Sequence, residues 1–195
     1  MINWPALTAY LAIQCITPGP NNLTCLYLGA NKGIKKSLPF IAGSMSMFFV
    51  KAVLCGLLNI AVASLIPNIM SVLKWIGAAY MMYLAVMMII SGWKKDGEVN
   101  FGSEGSFLSG IILQCVNGKS WIATISMFVV YVIPFSTAFS DIVLASALFI
   151  FLATLTSFLW GGFGNAIKGL IRKYKKPFGI IMGLSLIYCG ITALL

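Results

Sequence analysis

Long apolar runs alternate with short polar clusters along the whole chain. Six of the runs are long enough to cross a bilayer, which takes roughly 20 residues per helix. They predict helices at about 4–29, 38–64, 70–91, 107–133, 141–164 and 178–195. The first run is interrupted near its centre by Thr17-Pro18-Gly19-Pro20-Asn21-Asn22. Proline removes an amide donor and clashes with the preceding turn, and Gly19 adds freedom where the turn is cut. In lipid the freed backbone groups have no water to bond. Such a break persists only where protein or a cavity covers it. The break is therefore a candidate binding site.

Composition excludes most other classes. The 195 residues are 60% hydrophobic and 9% charged, more apolar than one soluble core can bury. The expectation is an all-α integral membrane protein, a single domain over 1–195. The net charge is +9, yet the basic residues fall in short clusters between apolar runs, so no basic face for nucleic acid arises. The N-terminus lacks a basic region and a small-x-small site, so no cleavable leader is expected and the first helix itself directs insertion. There is no histidine, and Cys15, Cys25, Cys55, Cys115 and Cys189 form no C-x-x-C pair, so no metal site is expected. No Ser-His-Asp, nucleotide-binding or metal motif appears, so neither catalysis nor a cofactor is expected.

The loops carry an orientation signal. Loop one has Lys32, Lys35 and Lys36; loop three has Lys94 and Lys95; loop five has Lys168, Arg172, Lys173, Lys175 and Lys176. Loops two and four, around Pro67 and from Pro134 to Ser140, have no Lys or Arg. Odd loops are then cytoplasmic and both termini face outward. Lys74, near the outer end of helix three, is the one residue that runs against this count. Trp4, Trp75 and Trp93 fall near the expected interfaces, where aromatic belts form, though plain packing explains each of them as well.

The chain also matches itself. Ile13-Gln14-Cys15-Ile16-Thr17-Pro18-Gly19 aligns with Leu113-Gln114-Cys115-Val116-Asn117-Gly118-Lys119, 100 residues later. The copies lie in helices one and four, so each half holds three helices. Three per half forces opposite orientations, the inverted-repeat plan of many secondary transporters. The repeats are about 1–97 and 100–195, with helices one and four broken. At about 1.5 Å per residue, Pro18 lies roughly 20 Å into helix one and Lys119 roughly 18 Å into helix four. Both depths fall near the middle of a hydrocarbon core about 30 Å thick.

Several residues near the breaks carry chemistry. A lysine at the depth of Lys119 is costly unless paired or hydrated. It is read as a contact for a substrate carboxylate or as a tether for broken backbone carbonyls, against the plainer reading of a snorkelling side chain. Asn117 and Gly118 loosen the helix before it. Asn21, Asn22 and Leu23 start the second half of helix one, where free amides and the helix dipole suit a carboxylate. The two asparagines also read as caps of the restarted helix, and the two readings are compatible. Gln14 and Gln114 either line the pathway or hydrogen-bond across helices. Lys51 is expected to lie closer to the outer side and to snorkel there. Gly179 and Gly183 suggest close helix packing. Asp96, Glu98, Glu104 and Asp141 all lie in loops or at an edge, so the membrane interior has no carboxylate or imidazole relay. Lys119 is then the expected carrier of any coupling proton.

These residues resemble a known family. Thr17-Pro18-Gly19-Pro20-Asn21-Asn22, the basic Lys32 to Lys36 stretch and Gly43 look like the LysE/RhtB amino-acid exporters. Trp75-Ile76-Gly77-Ala78-Ala79-Tyr80 with Tyr83-Leu84-Ala85 resembles that family's third helix. Gln114 to Lys119 resembles its Asn-Pro-Lys region, with Gly118 in place of the proline. The resemblance covers most of the chain and is nearest to the cysteine/O-acetylserine branch. It implies an exporter of small neutral amino acids or derivatives in the inner (plasma) membrane, among lipid, driven by ion or proton exchange without ATP. It also allows for a homodimer. The site residues it groups are Gln14, Thr17, Pro18, Gly19, Pro20, Asn21, Asn22, Gln114, Asn117 and Lys119. A reading from another class is a membrane thiol–disulfide conduit using Cys15 and Cys115, which flank the breaks without a Pro-Cys-x-x-Pro setting.

Overall fold

The computed structural model describes residues 1–57, 59–93, 105–192 and 194. These residues form nine α-helices and one π-helical turn, with no strand among them. The helices are α1 (Trp4–Ile16), α2 (Pro20–Lys32), α3 (Ile34–Leu57), α4 (Asn59–Ser91) and α5 (Phe107–Val116). They continue with α6 (Gly118–Ser126), α7 (Phe139–Ala166), α8 (Lys168–Lys173) and α9 (Lys175–Thr192), and the π turn Met127–Val132 follows α6 directly.

Local chemistry sets several boundaries. Asn3 Oδ1 accepts from the Ala6 amide at 3.1 Å and starts α1. Ser106 Oγ does the same for α5, accepting from the Ser109 amide at 3.2 Å. Between α2 and α3 the chain turns at Gly33, whose φ of 82° favours glycine. The expected loop around Pro67 is not observed: α4, from Asn59 to Ser91, runs through it. Proline keeps a helical φ, and apolar residues on both sides favour continuing the helix at the loss of one amide bond. The loop-three residues Lys94, Lys95, Asp96, Glu98 and Glu104 lie outside the described residues.

Two helices are long and apolar enough to cross a membrane alone, Ile34–Gly56 and Phe139–Ala166. A third span results if Phe107–Val116 and Gly118–Val132 are taken together across their 65° bend. Trp4–Ile16 and Trp75–Ser91 are shorter apolar helices. Large apolar side chains such as Trp75, Ile112, Val130, Phe151, Leu159 and Ile181 lie exposed on the exterior, a surface suited to lipid.

The buried apolar residues divide into two clusters. One joins α2, the start of α3, α4, α5 and α9 through Leu26, Phe40, Leu84, Leu113 and Leu186. The other joins α1, the end of α3, α6, the π turn and α7 through Leu11, Phe48, Ala123, Phe128 and Phe149. Helix one contributes α1 to the second cluster and α2 to the first. Helix four contributes α5 to the first and α6 to the second. Each break therefore sits between the two buried clusters.

Close backbone approach holds the helices of the first cluster together. A Cβ on Gly43 of α3 would lie 1.9 Å from the Phe107 carbonyl oxygen, and one on Gly110 of α5 would lie 2.2 Å from that of Phe40. Gly179 and Gly183 pack as expected, against the Met88 and Ala85 carbonyls of α4.

Candidate functional site

Cutting a helix inside the membrane orphans the carbonyls before the cut and the amides after it. Residues 17–19 form the first break. Thr17 is extended (ψ 141°), and so is Gly19 (φ −168°, ψ 174°). The second break is the single residue Asn117, with φ −77° and ψ 92°. Helix four thus bends sharply without the family's proline, because one extended residue suffices to interrupt the ladder.

The orphaned carbonyls are satisfied by the same plan at both breaks. At the first, Asn22 Nδ2 reaches back to the carbonyls of Cys15 (2.7 Å) and Thr17 (3.0 Å). Lys119 Nζ donates to the Thr17 carbonyl (3.0 Å), the Thr17 hydroxyl (2.6 Å) and the Pro18 carbonyl (3.4 Å). At the second, Trp121 Nε1 reaches back to the Cys115 carbonyl at 2.7 Å. Lys51 Nζ donates to the Gln114 carbonyl at 3.1 Å and to Ser120 Oγ. Each break is therefore closed by one side chain from just beyond it and one lysine from another helix. Lys119 Nζ thus lies on the carbonyls of the opposite break, the position that the tether reading expects. Its three donors meet three oxygens of the opposite break.

The amides after the breaks are treated differently. Asn117 caps α6 itself, its Oδ1 accepting from the Ser120 amide at 3.4 Å. The N-cap of α2 is Gly19, which has no side chain to offer, and Pro20 has no amide to satisfy. The Leu23 amide bonds the Gly19 carbonyl at 2.9 Å, so it is not free as expected. Asn21 and Asn22 do not cap the helix either: Asn22 turns back to α1, and Asn21 Nδ2 donates to Ser157 Oγ of α7 at 3.0 Å. The Asn21 and Asn22 amides are thus left in an uncapped first turn, at the positive end of the α2 dipole.

That turn faces a partly open cavity. Gln14, Cys15, Gly19, Pro20, Asn21, Asn22, Asn117 and Lys119 line it, with Phe48, Ser120, Ala123, Phe149, Ala153 and Thr156. Of the ten expected site residues, Thr17 and Pro18 instead serve as acceptors for Lys119. Gln114 is fully buried away from the cavity, its Oε1 accepting from Asn117 Nδ2 at 3.1 Å. The symmetry of the two glutamines is therefore not kept: Gln14 lines the cavity and Gln114 packs inside. Lys51 does not snorkel. It is 0% exposed, with Nζ 4.6 Å from the centroid of the Phe48 ring and 5.4 Å from that of Trp121. The walls from α3 and α7 were not anticipated. Thr156 and Ser157, side by side in an apolar helix, were the available signal.

Replacing Asn22 with leucine is expected to destabilise the protein by about 1–3 kcal/mol, because the buried Cys15 carbonyl loses its side-chain donor and the Thr17 carbonyl loses one of two. Asn21→Ala, which removes one bond from a half-buried side chain, should cost less. Thermal unfolding of the two variants in detergent checks the order.

A cavity bounded by two broken helices, set in apolar helices with a lipid-suited exterior, defines a membrane translocator. Residues 12–195 match the LysE type translocator family, and the chain belongs to it. It is 31% identical to the cysteine/O-acetylserine efflux protein of Escherichia coli O139:H28 (strain E24377A / ETEC) over 186 residues, 95% of this chain and 94% of that one. The proteins of the same name in Escherichia coli (strain K12) and Shigella sonnei (strain Ss046) are each 30% identical, with the same coverage. No solved structure matches the chain. The protein is thus a transporter of the membrane rather than an enzyme.

Proposed function

We propose that the protein exports small neutral amino acids or their derivatives, cysteine and O-acetylserine foremost, across the plasma (inner) membrane. The uncapped first turn of α2, opening on the cavity beside Lys119, carries this reading. It offers two amides, a helix dipole and a nearby ammonium to a substrate carboxylate. The efflux relatives support the substrate class.

In this proposal the chain is one domain of two inverted repeats with six spans and both termini outside. The match of residues 13–19 with 113–119 and the interruption of both helices there support it. The site comprises Gln14, Gly19, Pro20, Asn21, Asn22, Asn117 and Lys119 at the cavity, with Thr17, Pro18 and Gln114 shaping the breaks. Export is driven by proton exchange.

Loading cells with dipeptides of cysteine, serine or threonine and following amino-acid efflux tests the function. Expression should accelerate efflux of at least one of them; an unchanged rate for every amino acid would sink the proposal. A Cys15→Ser/Cys115→Ser variant should export at close to the wild-type rate. Both thiols are free, and only Cys15 lines the cavity. Loss of transport in that variant would instead favour a thiol–disulfide conduit.

A further inference from the structure

Lys51 stands out among the charged groups the transport site leaves unexplained. It is 0% exposed, and its partners are all neutral: the Gln114 carbonyl, Ser120 Oγ and the faces of Phe48 and Trp121. The titratable groups facing it are Cys55 of α3 itself and Cys115 of α5, and no described acidic side chain does. Asp141, the only acidic residue among the described ones, lies in the first turn of α7. An ammonium buried in this way without a counter-ion is costly to keep and marks a functional site in a membrane protein. Its position supplies the second observation. Ser120 and Phe48 both line the cavity, so Lys51 is one hydroxyl away from it.

Ser120 also ties Lys51 to the second break. Its hydroxyl donates to the Asn117 carbonyl at 2.9 Å while its oxygen accepts from Nζ. When Nζ gives up a proton, passed by way of Ser120 Oγ to water in the cavity, it keeps the N–H electron pair as a lone pair. The Ser120 hydroxyl can then turn its hydrogen from the Asn117 carbonyl to Nζ. The residue at the bend of helix four loses one hydrogen bond in the process. Protonation of Lys51 is thereby linked to the backbone of the break.

We propose that Lys51 is the proton-binding site that couples export to the proton gradient, loading and unloading through Ser120 and the cavity. Lys119 does not fill this role, because its three donors are engaged by three oxygens of the first break. The proposal rests on the exporter reading.

The test uses the full-length protein in proteoliposomes with labelled O-acetylserine and labelled cysteine. Substrate counterflow without a gradient reads the pathway, and accumulation under an imposed pH gradient reads the coupling. Lys51→Arg keeps the charge and the donors but does not release a proton. Both Lys51→Arg and Lys51→Met should lose gradient-driven accumulation, while counterflow in Lys51→Arg stays measurable above protein-free liposomes. A merely structural lysine would be rescued by arginine. Gradient-driven accumulation by Lys51→Arg would therefore overturn the proposal, as would a folded Lys51→Arg without counterflow. Wild-type counterflow that ignores the pH gradient overturns the coupling role and leaves the exporter intact. Absence of wild-type counterflow with either substrate counts against the exporter reading itself.

Discussion

Replacing Lys119 with methionine is expected to reduce export to the level of cells lacking the protein. The ammonium holds the Thr17 carbonyl and hydroxyl and the Pro18 carbonyl together, from a residue 102 positions away. Methionine keeps the unbranched side chain as far as Cε and removes all three donors. Hydrogen bonds to a charged group are worth about 1.5–3 kcal/mol each, so two of them already bias the ordered break more than about a hundredfold. Lys119→Arg should recover part of the activity, since its fork still donates but is broader than an ammonium. Counterflow in proteoliposomes measures the loss, and thermal unfolding separates it from failure to fold. Wild-type counterflow in Lys119→Met would mean that the tether is dispensable.

The second large effect is expected at the contact of α3 with α5. Gly43→Ala would place a Cβ 1.9 Å from the Phe107 carbonyl oxygen, a backbone atom that no rotamer change can move aside. The helices must separate, and Gly110, which approaches Phe40 on the same contact, loses its fit as well. Overpacking usually costs about 1–3 kcal/mol, and a backbone obstacle places this variant at or beyond the upper end. A lower unfolding temperature in detergent, with weakened export, is the expected result. A control at Gly162, where a Cβ meets nothing within 4 Å, should leave both unchanged.

Much of the site was legible before any tertiary structure. Proline and glycine act on their own backbone, so the break at residues 17–19 could be located from their positions. The second break was legible through its match to the first and through a lysine at a depth where charge is costly. Asn117 makes that break without proline because its side chain caps the restarted helix. The continuous α4 through Pro67 shows the limit of the same reasoning, since a proline's single lost bond can be absorbed by an apolar helix.

The chain by itself determined that the protein is helical and membrane-embedded, and that helices one and four are interrupted. These properties follow from hydropathy over 20-residue stretches and from residues acting on adjacent peptide groups. Tertiary structure alone decided which carbonyls each lysine holds, that Asn22 serves α1 rather than α2, and that Phe48, Phe149 and Thr156 form the cavity wall. It also decided that Lys51 is sealed inside while Lys119 reaches the cavity. Those outcomes depend on which helix faces meet across separations of 63 to 102 residues. Helical periodicity sets the faces, but only packing pairs them.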